Sequence, residues 1–293
     1  MIISDQILLF AFQCNASDIH IIQGEEPTYR IDGQIRRLSQ INESENINTQ
    51  CHNGKLNDQI IQEVLDNCGI SNKALDEKKN IDFAYSVNNK RFRVNVYFER
   101  SRMAAAFRAL PENMPSIENL YSDPNLATTL YKLANLPNGL VLVNGPTGSG
   151  KSSTLAAIIN YVNQNHPKSI ITIEDPIEYL HHPINSIISQ REIGRDVLSF
   201  SDGLRAALRQ DPDIILVGEM RDQETIRTAL HAAKTGHLVF STLHTGSASE
   251  TIDRIISMFP GDEQSSIRTD LSDALKGIIA QHLVRKISGG RTP

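Results

Sequence analysis

The stretch Gly145-Pro146-Thr147-Gly148-Ser149-Gly150-Lys151-Ser152 fits the pattern G-x-x-x-x-G-K-[ST] at every fixed position. Residues 139–144 before it form an apolar run of strand length, and residues 153–162 after it have a helical pattern. A phosphate-binding loop requires this strand–loop–helix context, because its glycines let successive N–H groups face phosphate oxygens at a helix N-terminus. The sequence therefore predicts a nucleoside triphosphate site formed by residues 145–153, rather than a glycine-rich turn before an ordinary helix.

Two side chains at the end of this loop complete the predicted site. Lys151 is placed to reach the β- and γ-phosphates, and the hydroxyl of Ser152 is the expected ligand of Mg²⁺. The predicted cofactor is therefore Mg²⁺, bound together with the triphosphate, and Ser153 lies beside it at the start of the helix.

The composition is that of a globular protein with a sizeable core, since 40% of the 293 residues are hydrophobic and 22% are charged. The formal net charge of −5 argues against nucleic acid as the main partner. The three cysteines, Cys14, Cys51 and Cys68, form no C-x-x-C pair, so neither a disulfide framework nor a zinc site is indicated. A signal-peptide pattern and an apolar run of the ~18 residues that span a bilayer are both missing from the sequence. We expect a cytoplasmic protein without a transmembrane segment, which can still dock on a membrane complex.

A proline-rich segment divides the chain. Three prolines fall within the fourteen residues 111–124, and proline is a poor residue for the interior of a helix or strand. We expect a linker here, between an α/β domain at 1–110 and a second domain at 125–293. The first domain has predicted strands at 18–23, 28–31, 34–38, 80–87, 90–98 and 103–110, hairpin turns at Asp32-Gly33 and Asn88-Asn89, and a helix at 58–67.

The second domain has a different periodicity. Apolar runs at 140–144, 170–173, 214–218 and 238–242 are typical of strands buried on both faces of a parallel sheet. Helical patterns such as 222–234 separate them. Alternating strands and helices, with a phosphate loop after the first strand, predict a doubly wound α/β domain with a largely parallel sheet.

Carboxylates follow two of these strands. Glu174, Asp175 and Glu178 end one strand, and Glu219 ends a run of four apolar residues and a glycine. In a nucleotide site such acids hold Mg²⁺ or activate the attacking water. Glu219 and Glu178 are the candidates, while the alternative for the cluster at 174–178 is a solvated loop with a helix cap.

Two histidines bracket the strand at 238–242. His237 precedes it and His244 follows it, so their spacing does not suit a metal pair on one face. A histidine beside an apolar strand is commonly a hydrogen-bonded core or surface residue. The position of His244 after the strand also fits a sensor of bound triphosphate.

Four segments in this order resemble a known family. GPTGSGKS, ITIEDPIEY, LRQDPDIILVGEMRDQET and TGHLVFSTLHT are similar to the phosphate loop, Asp box, Walker B and His box of the secretion-type (traffic) ATPase superfamily. The nearest resemblance is to the PilT-like retraction ATPases of type IV pili, and it runs from the ASDIH segment at 16–20 to GGR at 289–291. It implies a PAS-like N-terminal domain, a RecA-like ATPase domain and a homohexameric ring.

The resemblance also implies roles for individual residues. It assigns phosphate and Mg²⁺ binding to Lys151 and Ser152, the Walker B role to Glu219, the catalytic carboxylate of the Asp box to Glu178, and the His box to His237 and His244.

Arginines cluster near the end of the first domain, at Arg91, Arg93, Arg100, Arg102 and Arg108. One alternative is a basic sheet face that is exposed or paired with acidic loops. The other is that one or two of them stabilise the triphosphate as it loses its terminal phosphate, as arginine fingers do. The resemblance favours Arg91 and Arg93, which match the R-x-R-x-N segment of the family, and we expect them to act across a subunit boundary.

The resemblance implies an ATP-hydrolysing motor that pulls on an inner-membrane pilus or secretion platform from the cytoplasmic side. Pilus-assembly and type II secretion relatives carry a long extra N-terminal domain and a four-cysteine zinc element, which this sequence lacks, so the resemblance favours retraction. The retraction family normally continues beyond the position of Pro293, so we expect 125–293 to lack the C-terminal helices. A Dot-type or type II/IV secretion ATPase is the main alternative, followed by a pilus-assembly ATPase, a nucleic-acid translocase and a non-hydrolysing switch.

Overall fold

The computed structural model describes residues 3–41, 56–121, 123–285 and 291–292. Cys51 and the two glycines of the GGR segment lie outside the described residues. The chain divides into two compact units, Met1–Glu112 and Asn113–Pro293.

The N-terminal unit is an antiparallel sheet with helices. Its six strands lie in the order β3-β2-β1-β6-β5-β4, and each neighbouring pair is antiparallel. The elements are α1 (Ile3–Gln13), α2 (Asn57–Asn67), α3 (Asn72–Lys78), β1 (Ala16–Ile22), β2 (Thr28–Ile31), β3 (Gln34–Arg37), β4 (Asn80–Val87), β5 (Lys90–Glu99), β6 (Arg102–Ala109) and a 3₁₀ turn at Leu38–Gln40.

Alternating burial builds this sheet, because successive side chains of a strand point to opposite faces. Ile19 and Ile21 of β1 are buried in the core, whereas Asp18 and His20 are on the other face. The two predicted hairpins are confirmed: Asp32-Gly33 joins β2 to β3, and Asn88-Asn89 joins β4 to β5. All four turn residues have positive φ, the conformation that these turn types need.

The C-terminal unit is built on a parallel sheet with the strand order β12-β7-β11-β10-β8-β9, and each neighbouring pair is parallel. A separate antiparallel ribbon is formed by β13 and β14. The strands are β7 (Gly139–Asn144), β8 (Ser169–Glu174), β9 (Ile187–Glu192), β10 (Ile214–Val217), β11 (Leu238–Leu243), β12 (Leu275–Ala280), β13 (Val284–Arg285) and β14 (Arg291–Thr292). The helices are α4 (Ile117–Leu120), α5 (Pro124–Ala134), α6 (Lys151–Asn165), α7 (Phe200–Ala207), α8 (Gln223–Lys234), α9 (Ala248–Ser257) and α10 (Gln264–Ala274).

The central strands are covered on both faces. Every residue of β7, β10 and β11 is buried. Leu140 and Leu142 of β7 pack into one hydrophobic core with α7 to α10, while Val141 and Val143 pack into another core with α4, α5 and α6. Residues of alternate parity therefore fill the two faces, and the predicted fold class, an α/β chain with a largely parallel ATPase sheet, is confirmed.

Some elements differ from the prediction. The segment 111–124 contains the short helix α4, because Ser116 caps its first turn and Ile117 is buried. Strands β9 and β12 were missed, since the sequence of β9 is polar and that of β12 contains lysine and glycine. None of the helices in the described part of the chain combines the length and apolar character needed to cross a membrane.

Candidate functional site

Four of the predicted features meet at one edge of the parallel sheet. Parallel strands end on the same edge, where open α/β sheets bind their ligands. The phosphate loop follows β7, Glu174 ends β8, Glu219 follows β10 and His244 follows β11. Because β11 lies between β7 and β10, the segment carrying His244 lies between the phosphate loop and Glu219.

Two glycines give the loop a shape that other residues would obstruct. Gly145 has φ 149° and Gly150 has φ 88°, a region that L side chains rarely adopt. A Cβ atom on Gly145 would lie 2.2 Å from the carbonyl oxygen of Gln281, and one on Gly150 would lie 2.9 Å from its Nε2. Helix α6 begins directly after Gly150, so the loop lies at the positive end of this helix.

Lys151, the first residue of α6, lies across the loop. Its side chain is buried, and its Nζ donates to the carbonyl oxygens of Gly145 at 2.8 Å and Pro146 at 3.2 Å. Burial lowers the pKa of Lys151, while the negative charges of Glu219 and Glu178 act in the opposite direction. The structure thus brings both predicted carboxylates close enough to influence the pKa of this lysine.

The serines of the loop occupy different environments. Ser152 is exposed, and the hydroxyl of Ser153 lies 2.8 Å from that of Tyr179. Ser149 is buried, and its Oγ has no hydrogen-bond partner among the described residues. Pro146, Thr147 and Gly148 form the exposed tip of the loop.

The side chains at this edge fit Mg²⁺. A serine hydroxyl and a carboxylate are hard oxygen ligands, and Mg²⁺ is usually bound by one or two such groups together with waters and phosphates. Ser152 and Glu219 supply such oxygens. Among the described residues no group of three or more His, Cys, Asp and Glu residues has the arrangement of a complete metal site.

Hydrogen bonds between Thr242 of β11 and the residues on either side of Glu219 fix its position. The hydroxyl of Thr242 donates to the carbonyl oxygen of Gly218 at 2.6 Å, and the N–H of Met220 donates to the carbonyl oxygen of Thr242 at 3.3 Å. The Glu219 carboxylate forms an ion pair with Arg221, and its Oε2 lies 3.5 Å from Nε2 of His244. The predicted Walker B acid and the second histidine are therefore neighbours.

The carboxylates after β8 are not equivalent. Glu174 accepts hydrogen bonds from the hydroxyl of Thr172 at 2.6 Å and from Nε2 of Gln190 at 3.2 Å. Burial raises the pKa of Glu174, and these two hydrogen bonds offset part of the increase. Asp175 is exposed, whereas Glu178 is half-buried. In the described segment 175–186 no helix begins, so the helix-cap alternative for this cluster is wrong.

His237 lies at the opposite end of the sheet. It precedes the first residue of β11, and its Nδ1 lies 3.0 Å from the carbonyl oxygen of Ala232 in α8. A six-residue strand is about 20 Å long, so His237 and His244 are not neighbours within this unit. The catalytic role of His237 stays a prediction that the fold of one chain does not support.

Arg91 and Arg93 lie in the other unit, on strand β5. They share the face opposite Phe92 and Val94, which are buried in the N-terminal core. The Nε of Arg93 lies 3.7 Å from the carboxylate of Asp82. Both arginines thus belong to a polar sheet face of the N-terminal unit, and their catalytic role stays a prediction.

The other arginines of that cluster support the ion-pair alternative. Arg102 pairs with Glu25 and Glu99 at 2.9 Å, and Arg108 pairs with Asp18 at 2.9 Å. Arg100 lies in the turn between β5 and β6.

Two polar residues of the site, Arg221 and Gln281, were not predicted from the sequence. Arg221 stands two positions after Glu219, so its place in the motif was the available signal. Gln281 contacts the phosphate loop from the end of β12, 130 residues after Lys151 in the numbering, and no local pattern indicates it.

A parallel sheet, a glycine-rich loop before a helix, and carboxylates at the same edge define the class of P-loop nucleoside triphosphate-binding proteins. Within this class, the family described as Type II/IV secretion system protein matches residues 1–290. The chain therefore belongs to the type II/IV secretion system protein family, and it is a P-loop ATPase.

Individual relatives agree with this assignment. The type IV pilus retraction ATPase PilT of Pseudomonas aeruginosa is 44% identical over 287 residues, which are 98% of this chain and 79% of that protein. The crystal structure of the pilus retraction motor PilT with bound ADP has a TM-score of 0.87 and 45% identity, covering 98% of this chain and 80% of that one. The ATPase DotB of Legionella pneumophila has a TM-score of 0.80 and 32% identity, covering 98% and 78%.

Proposed function

We propose that this chain is the ATP-hydrolysing motor of type IV pilus retraction. The observation that carries the proposal is the likeness to the PilT retraction ATPase, which extends over both units of the chain at 44% identity. The DotB structure covers the same share of the chain at only 32% identity and a lower TM-score. Retraction is therefore favoured over Dot-type secretion.

The site residues suit hydrolysis rather than nucleotide binding alone. Lys151 supplies positive charge to the triphosphate, and Mg²⁺, held through Ser152 and Glu219, would neutralise charge on the phosphate oxygens. Glu178 lies close enough to Lys151 to act on its pKa, and we assign it to orienting and deprotonating the attacking water. His244 contacts Glu219, so we assign it to sensing the terminal phosphate.

The proposed working form is a homohexamer at the cytoplasmic side of the inner membrane, docked on a pilus platform protein. Arg91 and Arg93 supply the remaining positive charge from the N-terminal unit of a neighbouring subunit. This arrangement gives the arginines on the polar sheet face of one subunit a role at the nucleotide site of its neighbour.

Lys151→Ala tests the proposal in a host that carries this chain and makes type IV pili. The variant removes a charge from the ligand site, so ATP turnover of the purified protein should fall by about 10²-fold or more, while its circular dichroism is unchanged. Cells should then carry excess filaments that do not retract, as counted by microscopy. Lys132→Ala, a change of an exposed lysine in α5, is the matched control and should behave like the wild type.

Each other phenotype identifies a different function. Cells without filaments would indicate an assembly motor and contradict the proposal. Loss of effector export with normal pili would indicate the Dot-type function instead. Turnover that is equal in Lys151→Ala and wild type would contradict the assignment of the site itself.

A further inference from the structure

Gln281 is a buried residue behind the phosphate loop. It follows the last residue of β12, and its N–H donates to the carbonyl oxygen of Asn144, the residue before the loop, at 2.9 Å. Its side-chain Nε2 donates to the carbonyl oxygen of Ser149 at 2.7 Å. One residue therefore holds the chain just before the loop and within it, and with 3% of its surface exposed it acts through other protein groups.

Two hydroxyl groups fix the orientation of the Gln281 amide. Its Oε1 accepts from the hydroxyl of Tyr121 at 3.0 Å and from that of Thr154 at 2.8 Å, and these two hydroxyls lie 2.6 Å apart. The carbonyl oxygen of Ser149 can only accept, so the NH₂ group must face it and the oxygen must face the hydroxyls. Burial raises the pKa of Tyr121, which keeps its hydroxyl protonated and able to donate.

Holding the Ser149 carbonyl also directs an N–H group. The carbonyl of Ser149 and the N–H of Gly150 belong to one planar trans peptide group and point in opposite directions. A carbonyl pinned toward Gln281 therefore directs the Gly150 N–H away from Gln281. The glycines at 145 and 150 permit this close approach, since a Cβ at either position would lie within 3 Å of Gln281.

We propose that Gln281 is a positioning residue for ATP binding, which pins the Ser149 carbonyl and aims the Gly150 N–H at a phosphate oxygen. Tyr121 and Thr154 act through it by holding its amide. Preorganised backbone donors bind phosphate more tightly than mobile ones because no ordering cost remains at the moment of binding. The proposal rests on the nucleotide-binding role of the loop, not on pilus retraction.

Gln281→Leu in the full chain tests the proposal. The substitution removes the NH₂ group and the carbonyl oxygen of the side-chain amide while keeping a similar size. The Kd for the Mg²⁺ complex of a fluorescent ATP analogue should therefore rise about tenfold, as for the loss of one or two hydrogen bonds. Gln264→Leu is the matched control, because Gln264 also donates to a backbone carbonyl, that of Phe259, away from the loop. The control should bind the analogue like the wild type.

A double-mutant comparison separates positioning from general stability. Tyr121→Phe and Thr154→Val should each raise the Kd in the wild type but have no further effect in Gln281→Leu, because they act through the amide. A folded Gln281→Leu with an unchanged Kd, or fully additive losses, would overturn the proposal. Wild-type protein that fails to bind the analogue would overturn the proposed function as well.

Gln281→Glu keeps the test decisive even if Gln281→Leu does not fold. An ionised carboxylate cannot donate to the Ser149 carbonyl, whereas the protonated acid can. Relative to the wild type at each pH, this variant should bind weakly at pH 8 and recover toward pH 6. Equal relative affinity at both pH values would overturn the proposal.

Discussion

The two sheets of this chain present their charged residues in different ways. In the antiparallel N-terminal sheet, one row across β5, β6, β1 and β2 consists of Arg93, Arg108, Asp18 and Arg30. These side chains stand on one face, where Asp18 pairs with Arg30 and Arg108, while Arg93 pairs with Asp82. In the parallel C-terminal sheet, the charged residues of the site come after the strands end, and four strands deliver them to one edge.

This difference indicates how much of the site one chain can assemble. A parallel sheet collects the ends of distant segments automatically, so Lys151, Glu178 and Glu219 meet within one unit. A row of arginines on a sheet face instead offers positive charge to whatever packs against that face. We therefore expect the arginine contribution to depend on a second subunit.

The largest expected effect tests this division directly. Arg91→Ala/Arg93→Ala should lower ATP turnover by about 10³-fold, because an added arginine at the transition state is worth that much in related phosphoryl transfer. Mixing this variant with Lys151→Ala should recover measurable turnover, since some sites then combine an intact loop with intact arginines. Steady-state phosphate release across a range of protein concentrations provides the measurement.

The control for this experiment is Arg36→Ala, an exposed arginine on the edge strand β3, which should keep wild-type turnover. If turnover per subunit does not change with concentration and the mixture stays inactive, the arginines do not act across subunits.

A smaller effect should separate the two carboxylates of the parallel sheet. Glu178→Gln should lower kcat by about 10²-fold with little change in the Kd for ATP, because water activation is lost while phosphate contacts remain. Glu219→Gln should weaken Mg²⁺-dependent binding and turnover together. Nucleotide titrations and single-turnover kinetics distinguish the two patterns.

Glu263→Gln is the reference variant, because Glu263 pairs with Arg227 on the surface and should not affect either measurement. Poor binding with normal turnover at saturation in Glu178→Gln would show that its assigned role is wrong.

The sequence predicted those parts of the site that follow from local patterns. The phosphate loop, the strand before it and the acid Glu219 each have a short signature, and the parallel order explains why they meet. The apolar strands and the turns with asparagine and glycine could also be predicted, because periodicity and turn conformation are local properties of the sequence.

Contacts between segments that are distant in the chain could not be predicted from local sequence patterns. Nothing near Gln281 indicates that β12 lies beside β7 and brings its amide to the loop. Glu174 likewise accepts a hydrogen bond from Gln190 of the neighbouring strand β9, whose polar sequence gave no strand signal. His237 is the opposite case: it belongs to the His box motif, yet it lies at the far end of β11 from the site.

The smallest expected effect compares one partly buried carboxyl from each sheet. Burial alone would raise the pKa of Asp18, but the hydroxyl of Ser17 and the guanidinium of Arg108 outweigh it and hold the pKa below its ordinary value of 3.8. Burial dominates at Glu174 and holds its pKa above the ordinary 4.5. The two groups should therefore affect folding stability with opposite dependence on pH.

The signs follow from which state binds the proton more tightly. A lowered folded-state pKa contributes stability that is present above pH 3.8 and is lost as the pH falls through the folded value. Asp18→Asn should therefore be less stable than the wild type at neutral pH, and this difference should disappear in acid. The difference for Asp18→Asn should be on the order of 1 kcal/mol, as for an ion pair at a protein surface.

A raised folded-state pKa contributes stability that is present below pH 4.5 and is lost as the pH rises through the folded value. The stability of Glu174→Gln should therefore increase relative to that of the wild type as the pH increases. Urea denaturation between pH 3 and 8, followed by hydrogen exchange of peptides from β1 and β8, measures each unit separately, which matters because a chain with two units need not unfold in one step. Differences of the same sign in both units at pH 8 would contradict the contrast between a carboxyl stabilised by ion pairs and one destabilised by burial.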